Sequence, residues 1–441
     1  TVSVFVAGSQ PLVLGNKAAQ LSIDDPADFG AGSGKKVLSF QQPGSATKVE
    51  LNENMLGGGQ VAGLLRFQNN DLAEGRNLLG RMAIAISESM NTQNRLGLTL
   101  DGNPGENLFA PISLGNAIAS SSNTSGATMG LLVTDPTKLQ ASSYTISFTT
   151  AATGSVTRHS DGKVFSFDGA PVTMADVFTA QGLQVSLVGT PDPGDQFMIN
   201  SLQGAAAELK ALQYSPVDLA AANPINAAMG ANNTGTLQLA SLKATGQPCG
   251  LVLPPPTGVV MSFNGSPNTF TLAGTASVPL NTSTTPPTPL VGPPFAFTSG
   301  QSISIDGWEI TLNGSPKALD TVTIGNATDP QYGDWYQRDA GNASALMGLR
   351  DVPMFDGATL SDGFASAMAQ IGTRTQSAQF AAELSSAIAT NLERDRTAVS
   401  GVNLDEEAAR LIQYQQAYQA SAKMLQIAQN IFDNLIQSMG R

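Results

Sequence analysis

Along the chain, the spacing of apolar positions changes from one region to the next. Residues 1–50 carry short apolar runs, VSVFV, PLVL and KKVLSF, broken by Gly, Pro and Asp-Pro, which is the pattern of hairpin strands. LGGGQVAGLLRFQ (56–68) then reads as a glycine-rich turn leading into a helix. Asp71 opens a helix over 71–95, in which Leu72, Leu79, Met82, Ile86 and Met90 share one face. Asp101-Gly102, Asn103-Pro104 and Gly105 follow as a cluster of turn signals.

From about 106 to 328, alternating strands with many Thr, Ser, Gly and Pro replace the helical spacing. An internal repeat lies in this region. GLQVSLVGTPDPGDQFMI (182–199) and GWEITLNGSPKALDTVTI (307–324) align without gaps, matching Gly182 with Gly307, Leu187 with Leu312, Gly189 with Gly314, Pro191 with Pro316, Asp195 with Asp320 and Ile199 with Ile324. Each copy is a strand, a Gly-x-Pro turn and a strand, and SSYTISF (142–148) and TGVVMSF (257–263) read as matching first strands. Two similar antiparallel β units of roughly 70–90 residues follow, an ordinary domain size. They are placed at 106–200 and 236–328, with 201–235 as an Ala-rich connector ending in GANNTGT. The Pro/Thr-rich segment 280–295 suits a loop or an edge, because proline cannot donate within a sheet.

Helical spacing returns over 329–400. Phe364, Met368, Ile371, Ala378, Leu384, Ile388 and Leu392 fall near one face of a helix over 361–401, and Gly401 is a natural break. Unless the two ends of the chain pack together, the helices at 71–95 and 361–399 each expose an apolar stripe. Residues 1–105 are therefore expected to pack with 330–400. The fold class is multidomain α+β, with a helical bundle or coiled-coil region built from both chain ends and two antiparallel β-rich domains between them.

The last segment, 401–441, is a long helix with a seam. Leu404, Leu411, Tyr418, Leu425, Phe432 and Met439 recur at every seventh residue, a repeat that favours a left-handed supercoil with a partner helix. The second core position is weaker, with Ala408, Ala422 and Ile436 interrupted by Gln415 and Gln429. Asn403 suits the N-cap, and Asp405, Glu406 and Glu407 suit the first turn, where the helix dipole favours negative charge. Such a helix is roughly 50 Å long and marginal alone in water. Two readings follow: a bundle helix packed in its own domain, or a helix built for a partner in an assembly.

Composition narrows the field. At 441 residues the chain is too long for one core, so two to four domains are expected. The net charge is −12 with only 13% charged residues, and no basic patch points to nucleic acid. No apolar run approaches the roughly 20 residues that span a bilayer. Cys249 stands alone, so no intrachain disulfide forms, which leaves an extracellular home open. The chain begins at Thr1 inside a strand pattern, and we expect further sequence, a leader or an N-terminal helix, upstream of it.

Catalytic chemistry finds few carriers. His159, the sole histidine, sits in RHSDG beside Ser160 and Asp161, but a triad needs groups converging from separate elements, so a polar turn is the better account. Cys249 lacks an evident activating base. LGGGQVAG lacks the Lys-Ser/Thr of a phosphate loop. Consecutive Asp405, Glu406 and Glu407 do not face one another on a helix. Asp195 and Asp320 recur in the repeat, where a turn role outweighs catalysis, although a carboxylate-only glycoside hydrolase remains an alternative. No catalytic, cofactor-binding or metal-binding residue is assigned, no cofactor is expected, and the chain is expected not to be an enzyme.

The ending GVNLDEEAARLIQYQQAYQASAKMLQIAQNIFDNLI resembles the C-terminal signature of the bacterial flagellar axial proteins, which are the rod, hook and hook-associated proteins. SVFVAGSQPLVLG, the stretch from LGGGQVAGLLRFQNNDLAEG to LDGNPGENLF (56–109), GDQFMI and GDWYQRDAGNASALMGL (333–349) are similar to the hook-associated branch of that family. The resemblance is strong over 56–110 and 333–439 and weaker through the β middle. It implies an extracellular structural protein of the flagellum, exported unfolded through the type III apparatus with a cytoplasmic chaperone that binds the C-terminal helix. It further implies a homo-oligomeric ring between the hook protein and the second junction protein or filament, with terminal helices lining the tube and β domains facing outward. The family's N-terminal helices, which pair with the C-terminal one, are expected upstream of Thr1. Leu404, Leu411, Tyr418, Leu425, Phe432 and Met439 then form the assembly interface. The alternatives are a sister hook or rod protein, and a surface adhesin or carbohydrate-binding protein using the β units.

Overall fold

The computed structural model of the chain describes residues 4–6, 10–14, 17–42, 45–51, 53–56, 58–212, 215–245, 258–266, 268–275, 277–284, 286–400 and 404–440. Cys249, Gly401 and Asn403, to which the sequence assigned a thiol, a break and a cap, lie outside the described residues. The chain forms two compact units, Thr1–Met368 and Ala369–Arg441. Its class is α+β, with helices towards both ends and antiparallel sheets in the middle, as the sequence pattern predicts.

The first unit opens with two small antiparallel sheets, β1 (Val4–Val6), β2 (Gln10–Leu14) and β3 (Lys17–Ala18), then β4 (Gln20–Asp24), β5 (Val37–Gln41) and β6 (Lys48–Leu51). Leu38, Phe40 and Leu51 from the second sheet form a core with Leu65 of helix α1 (Gln60–Arg66). A π-helical turn over Phe67–Asp71 joins α1 directly to α2 (Leu72–Arg95). Asp71 therefore opens nothing: its backbone is already helical, and its side chain caps no N–H. Asn69, buried in the π turn, donates to the Lys36 carbonyl and accepts the Lys36 N–H, both at 2.8 Å. Those bonds tie the turn to the start of β5, and the sequence pattern could not show them.

Helix α2 also buries a different face from the one its apolar spacing suggests. The buried positions are Asn77, Gly80, Arg81, Ala83, Ile84, Ala85, Ser87, Asn91 and Asn94, while Leu79 is exposed. The reason is close approach. A Cβ on Gly80 would stand 1.8 Å from the Leu202 carbonyl oxygen, so only glycine admits the α2 contact with the later helix beginning at Leu202. Asn91 clamps a passing strand-like segment, donating to the Phe109 carbonyl at 3.0 Å and accepting its N–H at 2.8 Å.

Two β-sandwiches follow. The first contains β7 (Ile118–Ala119), β8 (Thr128–Val133), β9 (Tyr144–Phe148), β10 (Gly154–Arg158), β11 (Val164–Phe167), α3 (Met174–Thr179), β12 (Leu183–Val188) and β13 (Gln196–Ile199). Helix α4 (Leu202–Glu208) links it to the second, made of β14 (Ile225–Met229), β15 (Gln238–Ala244), β16 (Val259–Gly265), β17 (Asn268–Ala273), β18 (Leu280–Asn281), β19 (Thr288–Pro289), β20 (Phe295–Ala296), β21 (Ser302–Ile305), β22 (Trp308–Asn313) and β23 (Thr321–Asn326). The sheets run β11-β10-β9-β13-β7 with β12-β8, and β14-β23-β16-β17-β20 with β15-β22-β21-β18-β19. The repeat is thus structural: Ile146 faces Phe197 across β9–β13, and Met261 faces Val322 across β16–β23. Each sandwich has its own core, around Tyr144, Ile146, Phe178 and Phe197 in one and Phe263, Phe270, Trp308 and Ile324 in the other. Strand β14 lies within the stretch 201–235 expected as connector, and it pairs along β23.

Residues 349–360 return to α2: Met354 and Phe355 pack on Ala85 and Met82, and Arg81 pairs with Asp356 at 2.9 Å while stacking on Phe355. Helix α5 (Gly341–Gly348) also meets α2. Helix α6 (Leu360–Ser400) starts there, with Ala367 buried. Phe364 and Met368 of α6 are exposed in the first unit, and Leu384, Ile388 and Leu392 are exposed in the second. The contact between the chain ends is made by the segment ahead of that helix. The second unit holds the rest of α6 and α7 (Leu404–Met439).

Candidate assembly surface

Helix α7 carries 36 residues, and Asp405, Glu406 and Glu407 occupy its first turn. Arg410 pairs with Glu407 at 3.3 Å and Glu406 at 3.8 Å on the surface. These are solvated pairs of small energetic weight. No described residue of α7 is buried. Leu404, Leu411, Tyr418, Leu425, Phe432 and Met439 all lie on it, with exposures from 60% at Leu411 to 82% at Met439. A single exposed Leu needs no explanation, but a continuous apolar row does. A straight helix turns a seven-residue row by about 20° per repeat, so one partner can follow the row only if both helices supercoil.

A second row went unnoticed in the heptad pattern. Met424, Ile427, Ile431 and Leu435 are each 52% exposed or more, and their three- and four-residue spacing sets them beside the first row, roughly a quarter-turn round α7. The C-terminal half of α7 therefore carries a broad apolar face, wider than the single heptad row.

Elsewhere the recurring polar residues hold turns. Asp195 is buried in the β12–β13 turn, accepting the N–H groups of Thr124 at 3.0 Å and Asp192 at 2.9 Å and the Ser125 hydroxyl. Asp320 is buried in the β22–β23 turn, accepting the N–H groups of Lys317 at 2.7 Å, Thr234 at 2.8 Å and Gly235 at 3.0 Å. The Ser125 hydroxyl and the N–H groups hold the Asp195 carboxyl below its usual range. Burial alone would raise Asp320, but its three N–H donors outweigh that and lower it too. Each carboxylate sits saturated inside its own sandwich, an arrangement for holding loops rather than for transferring protons.

Sequence reasoning missed their companions. Asn123 exchanges two hydrogen bonds with Gln196, at 2.8 and 2.9 Å, and Asn233 exchanges two with Thr321, both at 2.8 Å. The shared Asn-Thr of SNTSG and NNTGT was the available signal.

His159 pairs with the Thr145 hydroxyl at 2.7 Å in the turn after β10, where Arg158 grips Asp161 at 2.6 and 3.0 Å. Among the described residues no group of three or more His, Cys, Asp or Glu could hold a metal ion, and no helix is long and apolar enough to cross a membrane.

The first unit carries a repeated pair of antiparallel sandwiches with helices before and after them, and the second unit ends on the heptad helix. The model of the flagellar hook-associated protein FlgK helical domain matches residues 1–109, and that of the flagellar hook-associated protein 1 D2-like domain matches 118–201. The flagellar basal body rod FlgEFG protein C-terminal model matches 396–438. These matches together support a likeness to flagellar hook-associated protein 1. Flagellar hook-associated protein 1 of Escherichia coli K12 is 24% identical over 449 residues, covering 99% of this chain. The Salmonella typhimurium LT2 protein of the same name is 24% identical over 441 residues. The chain spans 59% of the length of these two relatives. The solved flagellar hook junction protein FlgK from Burkholderia pseudomallei superposes with a TM-score of 0.73 at 25% identity, covering 90% of this chain and 73% of that one.

Proposed function

We propose that the chain is a structural component of the bacterial flagellum, outside the cell, that joins hook to filament by assembling with copies of itself into a ring. Leu404, Leu411, Tyr418, Leu425, Phe432 and Met439 of α7 form the assembly interface. The observation that carries this reading is the unbroken exposure of that row on a helix with no buried residue. Burying one Leu-sized side chain contributes roughly 1.5–3 kcal/mol, and six such positions offset the cost of ordering the helix only when a partner covers them. The relatives' names, hook-associated and hook junction protein, support the location. The partners are further copies, the hook protein, the second junction protein or filament, and an export chaperone that binds α7 in the cytoplasm.

The test is the double change Leu411→Asp with Leu425→Asp. Cells carrying it are expected to make hooks without attached filaments, while circular dichroism of the purified chain keeps its β signal. Filaments still joined to hooks by the double variant would remove α7 from the role.

A further inference from the structure

The two sandwiches differ at one turn in a way that folding does not explain. The β12–β13 turn reaches Asp195 through Gly194, at φ +95°, a left-handed conformation that glycine takes freely. The β22–β23 turn reaches Asp320 through the matching position, Leu319, at φ +69°. Bulky L side chains avoid that region. Leu319 gains no burial in return, since it is 88% exposed. Glycine would serve the turn better, and a polar residue would serve the surface better. An apolar side chain held in a disfavoured backbone conformation and presented to solvent points to a contact made elsewhere. The exposed Lys317 stands two residues before it.

A receptor lies at the opposite end of the same ladder. Strands β14 and β23 pair from Met229↔Val322 to Ile225↔Asn326. The Leu319 turn lies beyond the first pair, and an open hollow of about 440 Å³ lies by the second. Leu239 and the exposed ring of Trp335 give it apolar surface beside the nearly buried Ile225 and Ala327, and Asp339, whose carboxylate accepts the Asn223 N–H at 2.6 Å, adds a negative charge. The lysine that also lines it, Lys243, is paired with Glu309 at 2.9 Å.

We propose that Leu319 of one copy seats in this hollow on a second copy, with Lys317 approaching the partner's acidic side at the Asp339 position. The occupant is a second copy because projection and hollow are both on this chain and Lys317 and Asp339 carry opposite charge, a local attraction that works against the mutual repulsion of copies each at −12. Their places at opposite ends of one strand pair make the contact head-to-tail, and such contacts repeat from copy to copy into a ring or a filament. The contact uses no residue of α7 and so goes beyond the assembly helix.

Two single-cysteine chains test it, Ala318→Cys and Ser344→Cys, each also carrying Cys249→Ser and a tag of different size. Under mild oxidation the mixture is expected to give disulfide pairs joining one chain of each kind, about tenfold above either chain alone. Adding Leu319→Gly to the Ala318→Cys chain is expected to cut that yield about tenfold without lowering the unfolding midpoint, because Gly194 makes the same turn in the first sandwich. The cross-link is expected to survive Leu411→Asp with Leu425→Asp. A mixed yield no higher than that of the separate chains, or one indifferent to Leu319→Gly, overturns the proposal.

Discussion

Replacing glycine by alanine at two positions of one helix is expected to change stability in opposite directions. Gly75 and Gly80 both lie in α2, one helical turn and a residue apart. Around Gly75 an added Cβ meets nothing within 4 Å, so Gly75→Ala should express only the helix preference for alanine, a stabilisation of about 0.5–1 kcal/mol. At Gly80 the added carbon would lie 1.8 Å from the Leu202 oxygen and 2.8 Å from its carbonyl carbon. Carbon and oxygen settle at about 3.3 Å or more, so α2 and α4 must part by roughly 1.5 Å. The obstacle is backbone, which no rotamer change relieves. Parting the helices loosens Leu202 and Ala205, both buried in this contact. Overpacking costs about 1–3 kcal/mol, and a backbone obstacle puts this case at the upper end, so after the intrinsic gain of about 1 kcal/mol a net loss of up to ~2 kcal/mol is expected. Amide hydrogen exchange along α2 reads the difference directly as opening free energy. Slower exchange in both variants would refute the close contact between α2 and α4.

The remaining expectations concern the buried charges. Asp320→Asn should destabilise the second sandwich by about 1–3 kcal/mol and leave the first unchanged, which fragment-resolved hydrogen exchange can separate. Asp195 and Asp320 titrate below their unfolded value of about 3.9, so the stability they confer is present above that pH and is lost as pH falls through their lower folded values. Acid unfolding followed by the fluorescence of Trp308 should show the second sandwich weakening below about pH 4, a dependence that the Asp320→Asn chain should partly lose, and hydrogen exchange should show the same acid weakening in the first sandwich, which holds no tryptophan. Asp356→Asn leaves the buried Arg81 guanidinium without its counter-charge. Because the Asp356 side chain is 63% exposed, the loss should be about 1–2 kcal/mol, below the roughly 3–5 kcal/mol of a fully buried pair. A thermal scan checks it.

The sequence by itself determined the alternation of elements. Strand spacing of two is imposed by the pleat, so Val259–Gly265 and Trp308–Asn313 announce which side chains face the core before any partner is known. The repeat of Gly-x-Pro turns likewise forecast two antiparallel β units of one design, and the heptad row of α7 could be read to the residue because its signal is entirely local.

Tertiary structure decided what depends on residues far apart. Burial of α2 on its glycine, alanine and asparagine face follows from how closely α4 approaches, and the apolar count along one helix carries no information about that distance. The partnership of Asn123 with Gln196 and of Asn233 with Thr321 joins positions 73 and 88 residues apart. A hydrogen bond acts over a few ångströms in space, and only the folded chain brings such positions within its reach.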